Sequence, residues 1–286
     1  SGHFAVTGEL GPPRSMNLEL INRKIGYLKG FVDAANLTDN QSGIVRLSSI
    51  ATSILCHQKG LEPVMQMTCR DRNRLAIQSD LLGANIHGVK NLLCLSGDHQ
   101  SFGDHPGTKN VYDIDSMQLI RMVSEMRDKN QFQNGVEIKG GGPKMFIGAA
   151  ASPFSSPVGM RPLRLAKKVL AGADFTQTQM IFDMEKFKIY MRRIVDMGLH
   201  EKISILAGVG PLKSAPMARF LHEKIPGIEV PTHLIERMEN AVKNIDKEDK
   251  EARKDAGRAE GIKICIEQIQ KAKEIEGVAG VHIMAI

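Results

Sequence analysis

Short runs rich in apolar and β-branched residues alternate along the chain with longer segments whose apolar positions recur every three or four residues. The short runs are FAVTGEL (4–10), FVDAANLT (31–38), PVMQMTC (63–69), NLLCLSG (91–97), MFIGAAAS (145–152), FTQTQMIF (175–182), ISILAGVG (203–210) and VHIMAI (281–286). Their length and apolar character predict eight buried strands. Between them, MNLELINRKIGYLKG, RLSSIATSILCHQKG, RNRLAIQSDLLGANIHG, SMQLIRMVSEMRDKN, PLRLAKKVLAGA, EKFKIYMRRIVDMG and APMARFLHEKI carry the period of amphipathic helices. Gly30, Gly60, Gly88 and Gly198 stand where those helices should stop.

Strand, helix, strand repeated at a spacing of roughly 28 to 32 residues is what one βα unit needs, and eight such units predict an α/β fold of the (β/α)8 barrel type. We expect residues 1–286 to form a single barrel domain with two elaborations: a loop at about 98–114 and additional helices at about 231–277. The charge run KNIDKEDKEARKDAGRAEG reads as a solvated helix face laced with intrahelical ion pairs.

Composition narrows the class. With 286 residues, 42% of them hydrophobic, 24% charged, 12 Pro and 27 Gly, the chain can bury a large core and is not a disordered, collagen-like or disulfide-scaffold sequence. Its four cysteines form no C-x-x-C pair, which speaks against a cysteine-rich metal centre, and no metal is expected elsewhere. No apolar run approaches a membrane span and no secretory leader opens the sequence, so a soluble cytoplasmic protein is expected. The net charge of +6 is spread among acidic residues, and 3 Tyr with no Trp offer little to stack on bases. This excludes nucleic acid in favour of a small anionic ligand.

Barrels bind ligands at the C-terminal ends of their strands. There the sequence places Glu9 before a Gly-Pro-Pro turn, Asn36, Thr38 and Asp39, Gln66 and Thr68, Ser96, Gly97 and Asp98, and Gln177 and Gln179. A carboxylate at a strand end with a rigid turn behind it suits a positioned general acid. A glutamine within an apolar strand must satisfy both ends of its amide, which a heterocyclic ligand can do.

The segments TGELGPP (7–13), QMTCRDRNR (66–74), NLLCLSGD (91–98), VYDID (111–115), KKVLAGADFTQTQMIFD (167–183) and GVGPL (208–212) follow one another in an order that resembles the methylenetetrahydrofolate reductase family, in its short bacterial form without a regulatory extension. The resemblance implies a flavin on the C-terminal face of the barrel and reduction of 5,10-methylene-tetrahydrofolate to 5-methyl-tetrahydrofolate. It casts Glu9 as the acid that opens the folate's five-membered ring, Asp98 as a catalytic group that hydrogen-bonds the pterin and tunes the flavin, and Gln179 as the residue that orients folate. Thr38, Gln66, Ser96, Gly97, Asp98, Tyr112, Asp113, Gly148, Arg161 and Lys168 fall at flavin-contacting positions, Lys168 with Arg161, Arg164 and Lys167 supplying charge for a flavin phosphate.

FAD is the implied cofactor. FMN is the alternative, because Ser96, Gln66 and Arg161 replace the Arg, His and Asp common in the family. Met217 stands where the family has a folate-contacting Gln, and the sequence ends at Ile286 before the Arg that follows strand eight. Electrons are expected from NAD(P)H or from a partner subunit, as in acetogen-type reductases, and a homo-oligomer is compatible. Two other readings stay open: a pterin-binding methyltransferase barrel without redox chemistry, and a non-catalytic subunit of a one-carbon complex.

Overall fold

The computed structural model describes residues 2–284. Among them, eight strands close into a barrel in sequential order: β1 (Ala5–Leu10), β2 (Ala34–Leu37), β3 (Pro63–Thr68), β4 (Asn91–Leu95), β5 (Phe146–Ala151), β6 (Phe175–Met180), β7 (Ser204–Val209) and β8 (Val278–Ile283). The helices are α1 (Leu18–Leu28), α2 (Ser49–Gln58), α3 (Arg74–Ile86), α4 (Ser116–Lys129), α5 (Arg161–Ala171), α6 (Met184–Asp196), α7 (Ala215–Lys224), α8 (Thr232–Asn240) and α9 (Lys250–Glu274). The (β/α)8 expectation is borne out. Contacts divide the chain into two compact units, one of Val6–Ala150 with Ala166–Thr176, the other of Ser1–Ala5, Ala151–Leu165 and Gln177–Ile286.

In the first unit β1 to β5 pair in parallel, with Glu9 opposite Asn36, Leu37 opposite Met65 and Gln66 opposite Leu93. Helix α1 shows how the pattern becomes packing. Asn17 caps its first turn by accepting the Leu20 N–H, and Ile21 and Ile25, four residues apart, bury against Leu10, Leu37 and Leu61. Helix α4 opens on a reciprocal capping box between Asp115 and Gln118. The four glycines read as helix stops all adopt positive φ. Within the long segment after β4, Gly103 lies against Gly43, where a side chain would collide with the Gly43 carbonyl.

In the second unit β7 pairs with β8, Val209 opposite Ile283. The sequence placed the last strand at 281–286. It begins three residues earlier, while residues 285–286 lie outside the described residues. Gly280, in the stretch the expected strand leaves out, is required there: a methyl group would sit 2.2 Å from the Ala5 carbonyl oxygen.

The charge run is largely exposed, as read, and Glu260 of α9 makes an intrahelical pair with Lys263. Glu260 also pairs with Arg237 of α8, which grips Glu267, so ion pairs join two helices as well. Gly257 and Gly261, one turn apart on α9, let that helix lie directly on the Leu212 and Lys213 carbonyls.

Candidate functional site

The first unit gathers most of the residues that the sequence singled out. Glu9 is the penultimate residue of β1. Burial raises its pKa from 4.5 to about 7, and among the described residues no hydrogen bond or ion pair holds it. A carboxyl in that state carries its proton near neutral pH and has no internal partner to give it to.

Beside it, the ends of β2, β3 and β4 are laced together. Thr38 is buried and its hydroxyl has no hydrogen-bond partner among the described residues. Asp39, also buried, accepts from the Thr68 amide at 2.9 Å and its hydroxyl at 3.0 Å, from Ser49, and from Arg72 at 2.7 Å. Gln66 is buried on β3, its amide unpartnered among the described residues.

Asp98 is exposed, and its carboxylate accepts the Ser42 N–H at 3.1 Å. Its carbonyl accepts from Arg70, whose guanidinium also reaches the Asn40 carbonyl and forks onto Asp71. Arg70 is almost wholly buried, so it ties the turns after β2 and β4 to the end of β3. Gly97, at φ 91°, packs on the Thr68 and Arg70 side chains, and its carbonyl accepts from the Tyr112 hydroxyl at 3.2 Å. Ser96 precedes it, exposed.

The remaining positions vary in availability. Asp113 accepts two hydrogen bonds from the Arg74 guanidinium and one from its backbone N–H, which hold its carboxyl down at about 2 and fasten it to the start of α3. Lys168 donates to the Ala150 carbonyl at the end of β5. Gly148 has a packing reason to be glycine: a methyl group would sit 2.3 Å from the Phe175 ring. In the second unit, Gln179 on β6 is half-buried and its Oε1 accepts the Met180 N–H, leaving its amide donor unpartnered among the described residues. Arg161 donates to the Ser155 and Ser156 carbonyls and so closes its own loop.

Along its whole length, residues 1–286, the sequence matches the family model described as methylenetetrahydrofolate reductase. The chain belongs to the methylenetetrahydrofolate reductase family. A relative from Caenorhabditis elegans, named a probable methylenetetrahydrofolate reductase (NADPH), is 25% identical over 96% of this chain, and the match covers 39% of that protein. The 5,10-methylenetetrahydrofolate reductase of Salmonella typhimurium is 24% identical over 76% of this chain and 68% of its own length. Among solved structures, a Clostridium thermocellum protein described as binding two copies of 5-methyl-5,6,7,8-tetrahydrofolic acid superposes with a TM-score of 0.62 over 99% of this chain and 90% of its own, at 12% identity. That likeness concerns the fold.

Does the family's cofactor class fit these residues? The Thr38 hydroxyl, buried without a partner among the described residues, is what a polar heterocycle edge would satisfy, since buried polar groups in native proteins are paired. Among the described residues no group of three His, Cys, Asp or Glu is arranged to hold a metal ion. The four cysteines are buried thiols, and burial pushes each of them upward, which makes them poor nucleophiles.

Sequence reasoning missed Arg70. It sits within the quoted QMTCRDRNR run, but an arginine just past a strand ordinarily reads as exposed. Its signal was the density of charge, three Arg and one Asp between positions 70 and 74, at a strand end where solvated charges had no obvious task.

Proposed function

We propose that the chain reduces the methylene bridge of 5,10-methylene-tetrahydrofolate to a methyl group, with Glu9 as the proton donor and a flavin, FAD or alternatively FMN, as the resident cofactor. The observation that carries the reading is the state of Glu9: a desolvated, unpartnered carboxyl at a barrel strand end, poised near pH 7. Family membership supplies the reaction class, and the family's flavin supplies a hydride when bound.

The chain's own residues do the rest. Protonated Glu9 gives its proton to a nitrogen of the folate's five-membered ring; the carbon–nitrogen bond then breaks and leaves an electrophilic iminium carbon that accepts the hydride. Asp98, fixed by Ser42 at its carboxylate and by Arg70 at its carbonyl, offers a positioned acceptor to pterin N–H groups. Gln179 contributes an amide donor to folate. Thr38, Gln66 and Tyr112 would hold the polar edges of the flavin, and Lys168 its phosphate. NAD(P)H or a partner subunit delivers the electrons. A raised glutamic acid suits protonation of a leaving nitrogen in a reduction and is not needed by a non-catalytic subunit.

Glu9→Gln tests this. The amide keeps the shape of the side chain, so the variant should retain bound flavin, identified by chromatography after release, yet reduce methylene-tetrahydrofolate on the order of a hundredfold more slowly, the scale of a general acid. Turnover at the wild-type rate would place the acid elsewhere. A purified chain that is colourless and takes up neither flavin would remove the cofactor assignment.

A further inference from the structure

A cavity of about 950 Å3 opens in the second unit where the segment after β7 meets the end of α8 and the first turns of α9. That volume lies within the range of small-molecule sites. Its wall carries seven basic side chains and one carboxylate. The carboxylate, Glu239, is engaged by Arg219, and Arg253 donates to the Val242 and Ile245 carbonyls. Lys213, Lys243, Lys247, Lys250 and Lys254 have no ion-pair or hydrogen-bond partner for their ammonium groups among the described residues.

This arrangement comes from the charge run that reads, in sequence, as a self-neutralised helix. None of its acidic residues lines the cavity: Asp249 caps α9 through the Ala252 N–H, and Asp246 accepts the Glu248 N–H. On α9 the residues Lys250, Lys254 and Gly257 recur at helical spacing on the cavity side, whereas Glu251 and Asp255 do not line it. Five lysines from three segments therefore converge on a wall whose one carboxylate, Glu239, is already engaged by Arg219, and their mutual repulsion is relieved when an anion enters. The start of α7, with Ser214 and Ala215 on the wall, adds the positive end of a helix dipole. Apolar side chains, Met238, Val242 and Pro216, complete the lining and leave room for an uncharged body.

We propose that this cavity binds a small molecule bearing a polyphosphate chain, the lysines acting as point charges on its phosphate groups. The chemistry is shared by a nucleoside triphosphate and by free inorganic polyphosphate. The site is independent of the catalytic reading given above.

Calorimetric titration of the purified chain with ATP and with inorganic tripolyphosphate, each against sulfate at matched ionic strength, tests it. At least one probe should bind more tightly than sulfate, tripolyphosphate alone marking a free polyphosphate site and tighter ATP marking use of the apolar wall. The triple variant Lys243→Gln, Lys247→Gln, Lys250→Gln should lose at least tenfold in affinity. The equally charge-depleted variant Lys90→Gln, Lys139→Gln, Lys202→Gln should bind as the parent does. All six side chains are exposed, so both variants should fold, which their melting curves verify. Binding no tighter than sulfate, or equal weakening in the two variants, overturns the proposal.

Discussion

Glu9 and Arg70, at the ends of β1 and β3, illustrate how differently two charged side chains are used. The glutamate is desolvated and left without a partner, which keeps it protonated near neutrality; the arginine is desolvated and given four acceptors, which keeps it structural. Removing Arg70 therefore has a readable cost. Arg70→Ala leaves the Asn40 and Asp98 carbonyls without this donor and deprives Asp71 of its main counter-charge, so we expect a loss of about 3 kcal/mol in urea unfolding. A loss below about 1 kcal/mol would mean that water replaces the guanidinium at little cost. Glu9 was legible in the sequence because a carboxylate before Gly-Pro-Pro at a strand end is conspicuous. Arg70 was not, because burial of an arginine depends on carbonyls that arrive from two other loops.

At the scale of elements, what the sequence revealed follows periodicity and what it hid follows close approach. Helices α1 to α7 appear near their expected places because local apolar spacing and caps specify them. The start of β8 and the seating of α9 were not legible because close contacts at glycines decide both: Gly280 lies on the Ala5 carbonyl, and Gly257 and Gly261 on the Lys213 and Leu212 carbonyls. Gly261 makes the point testable. By propensity, Gly261→Ala in the middle of a helix should stabilise by about 1 kcal/mol. In the structure the added methyl would lie 1.7 Å from the Leu212 carbonyl oxygen, so we expect a net loss of about 2 kcal/mol by thermal or denaturant unfolding. A gain in stability would show that α9 is free to shift. The same helix hid its lysine-lined cavity, since alternating signs in a sequence do not disclose that four lysines of the run line one wall while none of its acids does.

For the whole molecule, the closed order of eight strands follows from counting βα units, and the catalytic reading follows from which side chains stand at strand ends. Family membership rests on the full-length match, while the chain spans 39% of the nematode relative's length, so the activity is argued from the residues themselves. Packing reasons found for Gly148, and the full commitment of the Asp113 carboxylate to Arg74, show that position in a motif does not alone assign a ligand contact. Among the described residues no helix is long and apolar enough to cross a membrane.

The most direct measurement is the single-turnover rate of methylene-tetrahydrofolate reduction by the pre-reduced flavoprotein as a function of pH. Glu9 must be protonated to act, and its pKa lies at about 7, so the wild-type rate should hold level below that value and fall about tenfold per pH unit above it. Glu9→Gln should be slow and lack that step. A wild-type profile flat from pH 6 to pH 9, or a step that persists in the variant, would contradict the assignment of the proton to Glu9.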